Sequence, residues 1–120
     1  MPISDLKIQT RQDLYDALVK NTGLLIIKFG ATWCAPCRKI EHDVHHYMEI
    51  MPANATCVVV DIDESTDLYA FLKSKKIVNG IPVILAYETG NLNFVPDVIH
   101  VGSDKLQVNQ FFEKCFRLCQ

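Results

Sequence analysis

Apolar positions along the chain fall into short continuous runs that alternate with stripes of helical spacing. The run Leu24–Phe29 has the near-continuous apolar character of a central strand covered on both faces, Cys57–Ile62 is a second near-continuous apolar strand, and Val83–Tyr87 is a third strand preceded by Gly80-Ile81-Pro82. Val98–Val101 is a shorter run, and Leu6-Lys7-Ile8 alternates, which predicts a short first strand. Between the runs lie the helices. Thr10 followed by Asp13 has the form of a capping box, Leu14, Ala17 and Leu18 continue at helical spacing, and Asn21-Thr22-Gly23 ends the segment with a glycine free to turn left-handed. Ile40, Val44, Tyr47, Met48 and Met51 make one stripe along Arg38–Met51, which Pro52 closes. Asp63-Glu64-Ser65 reads as a turn and cap before a helix at 66–75, with Leu68, Phe71 and Leu72 facing inward. Glu88–Asp97 is a turn-rich connection, and Gly102-Ser103 opens a last helix whose predicted buried face is Leu106, Phe111, Cys115 and Leu118.

Crossover units followed by a hairpin and a covering helix predict an α/β fold, a three-layer α/β/α sandwich around one central mixed sheet. With no linker, repeat or low-complexity stretch, residues 1–120 are expected to form a single domain.

One stretch carries chemistry. Trp33-Cys34-Ala35-Pro36-Cys37 joins a predicted central strand to a predicted helix, so the two cysteines sit one turn apart with sulfurs on the same side and can close a small disulfide ring. The unpaired N–H groups of a first helical turn favour a thiolate on Cys34, and Pro36, which lacks an N–H, fits that turn without losing a bond. The expectation is a low-pKa nucleophile at Cys34.

Composition narrows the function classes. A net charge of -2 with both signs dispersed argues against a nucleic-acid surface; Lys73, Lys75 and Lys76 are the nearest approach and read as the solvated end of a helix. No apolar run approaches the ~18 residues of a membrane span. Five cysteines are an odd number for a disulfide framework, and Met1–Asp5 lacks the features of a signal peptide, so a reducing, cytoplasmic setting is expected. A zinc site would need two further ligands beside Cys34 and Cys37, and no second Cys-x-x-Cys pair occurs, so no metal and no cofactor are expected. His42, His45 and His46 read as a solvated helix face. Asp61 and Asp63 read as turn and capping residues rather than paired catalytic acids. Cys57 reads as a small strand hydrophobe, Cys115 as a packed residue and Cys119 as a loosely ordered one.

The strand followed by Trp33-Cys34-Ala35-Pro36-Cys37, the tripeptide Gly80-Ile81-Pro82 before a strand, and Val101-Gly102 before the last helix occur in an order and spacing that resembles the thioredoxin family over nearly the whole chain. The resemblance implies the thioredoxin fold and a protein-disulfide reductase. Cys34 would be the attacking thiol and Cys37 the resolving thiol. Trp33, Ile81, Pro82, Val101 and Gly102 would line the substrate groove, with Pro82 a cis-proline facing the dithiol. Ala35, Pro36 and Lys28 would support it. The implied partners are disulfide-containing proteins and a thioredoxin-reductase-type electron donor, with the chain acting as a monomer.

Departures from the family pattern leave other readings in play. Ala35 stands where the family usually has glycine. Lys28 stands where it usually keeps a buried aspartate, the lysine expected opposite is Val59, and His42 replaces the usual kinking proline. Lys28 is expected to run its stem to solvent, the alternative being a lysine that lies beneath the dithiol and favours a Cys37 thiolate by its charge. The alternatives are a thioredoxin-fold interaction module with an incidental dithiol, or a reductase dedicated to one partner.

Overall fold

Asp13 N donates to Thr10 Oγ1 at 3.0 Å and Thr10 N donates to Asp13 Oδ2 at 3.1 Å, so the expected capping box starts α1 (Arg11–Lys20). The computed structural model describes residues 3–120. Met1 and Pro2, which begin the stretch read above as lacking a signal peptide, lie outside the described residues. After α1 come β1 (Leu24–Gly30), α2 (Ala35–Ile50), β2 (Ala55–Asp61), α3 (Thr66–Ser74), β3 (Val83–Glu88), β4 (Val98–Val101) and α4 (Lys105–Leu118). The strands form one mixed sheet in the order β2-β1-β3-β4, with β1 and β2 parallel and the other two pairings antiparallel.

Side-chain alternation along β1 divides the core into two layers. Leu25, Ile27 and Phe29 pack with Leu14 and Leu18 of α1 and Leu68 and Leu72 of α3. Leu24 and Ile26 pack on the opposite face with Ile40, Val44 and Met48 of α2 and Val108, Phe111, Phe112 and Cys115 of α4. The result is the expected three-layer α/β/α sandwich, and β1, covered on both faces, is buried along its whole length.

Several expectations are corrected. Leu6-Lys7-Ile8 is not a strand: Ser65 Oγ donates to Ile8 O at 2.9 Å, and Leu68 N donates to the carbonyl of the following Gln9 at 3.3 Å, so the stretch is tied to the start of α3 instead of a sheet edge. Ser65 is the N-cap residue of α3 yet spends its hydroxyl on that bond. Helix α1 ends with an extended Asn21, not a left-handed glycine. Gly23 is needed for another reason, since a Cβ there would stand 1.8 Å from Asn54 O. Helix α4 is capped by Asp104, which accepts from Gln107 N at 3.0 Å, rather than by Gly102-Ser103. Its inward stripe is Val108, Phe111, Phe112 and Cys115, which leaves Leu106 67% and Leu118 38% exposed.

Candidate active site

The buried end of β1 delivers the chain to Trp33-Cys34, where the backbone turns into α2. Cys34 is the N-cap: its backbone is extended, its carbonyl accepts from Arg38 N at 3.2 Å, and its Sγ accepts from Cys37 N at 3.2 Å. The sulfur therefore sits on an unpaired N–H of the first helical turn, where a thiolate is favoured. Ala35 and Pro36 occupy the first two helical positions, as expected for a proline without an N–H to satisfy. Cys34 and Cys37 are joined as a disulfide with Cα atoms 5.3 Å apart, and they are 5% and 3% exposed.

The other predicted groove residues converge on this turn. The Ile81-Pro82 peptide is cis, and Ile81 O lies 4.0 Å from Cys34 Sγ. Gly102 N donates to Pro82 O at 3.0 Å, which ties the end of β4 to the cis step. Gly102 has φ 97°, a conformation that suits glycine. His100 Nε2 lies 2.8 Å from Gly102 O and fixes the same turn from below. Val101 pairs with Val83 across the sheet edge and is 61% exposed, and Trp33 is 63% exposed.

Three further residues surround the site: Asp63, read from the sequence as a turn and capping residue, and Arg38 and Glu41, to which the sequence assigned no role in it. Asp63 Oδ2 accepts from Trp33 Nε1 at 2.8 Å, so Asp63 anchors the indole rather than capping α3. Arg38 Nη1 donates to Thr32 O at 2.6 Å and braces the loop before the dithiol. Glu41 is the third. Its spacing of four from Cys37 on one helix was a legible signal, and it lines with Cys37 and Lys28 a cleft of about 300 Å³ behind the disulfide.

Lys28 corrects the expectation of a solvent-directed stem. It is 4% exposed, on the β1 face that packs against α2, and its strand partners are Val59 and Ile84. Burial holds its pKa below the usual lysine range, with the Glu41 charge opposing the shift. His42 and His46 are exposed as expected, whereas His45 is half-buried with an unpaired Nε2. Among the described residues no group of three His, Cys, Asp or Glu side chains is placed to hold a metal ion, and no helix is long and apolar enough to cross a membrane. Cys57 and Cys115 are buried with thiols pushed up to about 12 by burial, while Cys119 is half-exposed.

Comparison with known proteins agrees with this geometry. The family model described as Thioredoxin matches residues 6–113. Thioredoxin-2 of Pyricularia oryzae is 33% identical over 96 residues, which cover 80% of this chain and 52% of that protein. The mitochondrial thioredoxin of Mus musculus is 25% identical over 112 residues, covering 93% and 63%. The chain thus spans between about half and two thirds of the length of these two relatives. The X-ray structure of Fasciola hepatica thioredoxin superimposes with a TM-score of 0.71 at 23% identity, covering 95% of this chain and 98% of that one. A dithiol at the N-cap of a helix, a cis-proline opposite it and a family match along nearly the whole sequence place the chain in the thioredoxin family.

Proposed function

We propose that the chain is a thiol–disulfide oxidoreductase that reduces protein disulfides through Cys34 and Cys37. The observation that carries this reading is the position of Cys34: N-cap of α2, bonded to Cys37, with its sulfur 4.0 Å from the carbonyl of the residue before the cis-proline. An extended substrate strand can pair with the backbone of the half-buried Ile81 while its disulfide meets Cys34. The exposed faces of Trp33 and Val101 offer apolar contact to either side.

The reduced Cys34 thiolate attacks one substrate sulfur and the other leaves as a thiol, giving a mixed disulfide. Cys37 then attacks Cys34 Sγ, the substrate departs fully reduced, and the Cys34–Cys37 disulfide remains. A thioredoxin-reductase-type donor of two electrons restores the dithiol. The groove uses segments of one chain only, which supports action as a monomer. The three unpaired thiols Cys57, Cys115 and Cys119 support a reducing compartment such as the cytoplasm.

Insulin reduction driven by dithiothreitol tests the activity: the native protein accelerates it and Cys34→Ser does not, and equal rates would end the reading. Direction is tested by the potential of the Cys34–Cys37 couple, expected near the thioredoxin value of about -270 mV; a value near about -120 mV would mark an oxidant.

A further inference from the structure

Lysine is rarely buried without a partner, so the 4% exposure of Lys28 calls for a physical reason. Alternation along β1 turns it toward α2, and neither Val59 nor Ile84 beside it carries a charge. The point where a Cβ on Gly30 would stand lies 3.5 Å from Cys37 Sγ and 3.8 Å from Lys28 Cε. The last methylene of the lysine and the sulfur of Cys37 therefore flank the same small gap. Both also line the cleft of about 300 Å³ behind the disulfide.

The other ionisable groups facing that cleft are Arg38 and Glu41 from α2 and Asp61 from β2. Arg38 is engaged by Thr32 O at 2.6 Å, and Asp61 Oδ1 accepts from Asp63 N at 2.8 Å. β3 contributes only apolar Ile84 at this level. The helix N-terminus serves the other cysteine, because Cys37 N points to Cys34 Sγ.

We propose that Lys28 is a positioning residue for the resolving step: its ammonium stabilises the Cys37 thiolate, and so sets the fraction of Cys37 ready to displace a substrate from Cys34. The inference rests on the assignment of Cys37 as the resolving thiol. In the mixed disulfide Cys34 Sγ is bonded to a substrate sulfur and Cys37 is a free thiol. Cys37 gives its proton to water in the cleft, and its electron pair forms the bond to Cys34 Sγ. The bond from Cys34 to the substrate breaks with its pair on the substrate sulfur, which takes up a proton. The two cysteines lose two electrons and the substrate disulfide gains them.

Burial makes the nearby charge matter. A thiolate at Cys37, 3% exposed, is disfavoured unless a cation stands near it. Lys28 is itself short of water, which pushes its pKa down, and a desolvated cation gains more from a neighbouring anion than an exposed one does. The Glu41 charge opposes that shift and favours the ammonium form.

The test uses the full chain. In a Cys34→Ser background, the Cys37 midpoint is read from thiolate absorbance as the difference from the protein lacking both cysteines. Lys28→Met is expected to raise that midpoint by roughly one pH unit or more, the size of a lost neighbouring charge, and Lys28→Arg to leave it low. With Cys34 intact, release of substrate from a preformed mixed disulfide at neutral pH is expected to slow about tenfold in Lys28→Met, which is the same shift read as a thiolate fraction, and to recover at higher pH. A Cys37 midpoint unmoved by Lys28→Met overturns the proposal, as does an equal rise in Lys28→Arg. Should Lys28→Met not fold, Lys28→Gln is read by the same criteria. A native protein no faster than Cys34→Ser in insulin reduction would sink the functional reading instead, and would leave the Cys37 titration to judge the lysine.

Discussion

Trp33 Nε1 donates to Asp63 Oδ2 across 2.8 Å, so the turn after β2 holds the indole that stands beside the dithiol. The ring is 63% exposed, and this bond is what gives an otherwise free side chain a fixed orientation. Asp63→Ala is therefore expected to raise the KM for insulin with little change in kcat. A hydrogen bond of about 1 kcal/mol corresponds to a roughly fivefold effect. Trp33 is the one tryptophan in the chain, so its fluorescence anisotropy reports the loss directly. Unchanged anisotropy in the variant would contradict the anchoring role.

Asp63 also shows where sequence reading stops. Its partner lies thirty positions earlier, and only the parallel pairing of β1 with β2 brings the two loops together. What was legible came from local rules: the capping box at Thr10, the apolar strands, the dithiol at a helix start and the Ile81-Pro82 step all stand where they were expected. What was not legible depended on neighbours. Leu6-Lys7-Ile8 has a strand's alternation, but Ile8 O is taken by Ser65 and the carbonyl of the following Gln9 by Leu68 of α3. Lys28 has a stem long enough to reach water, yet α2 covers its face of the sheet. In α4 the spacing from Phe111 to Cys115 fits more than one stripe, and packing against α2 selected the one with Val108 and Phe112 over the one with Leu106 and Leu118.

That choice of stripe has a measurable consequence. Phe112 is 2% exposed and stacks on Tyr47 with ring centroids 5.1 Å apart. Phe112→Ala is expected to cost about 3 to 5 kcal/mol in urea unfolding, through lost burial and the cavity left behind. Leu106→Ala, at a position 67% exposed, is expected to stay within about 0.5 kcal/mol. Comparable losses would mean that α4 presents its other face.

The buried thiols set an alkaline limit on stability. Burial pushes Cys57 and Cys115 from 9.0 up to about 12. Above the ordinary thiol pKa the unfolded chain gives up these protons while the folded chain keeps them, so stability falls as pH rises. Their contribution is fully present below about 9 and is lost on the way to about 12. Each thiol steepens the fall by up to about 1.4 kcal/mol per pH unit. Urea unfolding across that range, compared with the Cys57→Ala, Cys115→Ala protein, checks this: the double variant is expected to lose stability less steeply, and an identical slope would contradict it.

The most direct measurement is covalent. In the proposed exchange Cys37 resolves the intermediate, so with Cys37→Ser incubation with a disulfide-containing protein is expected to leave that protein attached through Cys34, with peptide mapping locating the bond there. Cys34→Ser is expected to retain none. Attachment through Cys57, Cys115 or Cys119, or equal retention by Cys34→Ser, would show that the dithiol at the start of α2 does not work by exchange.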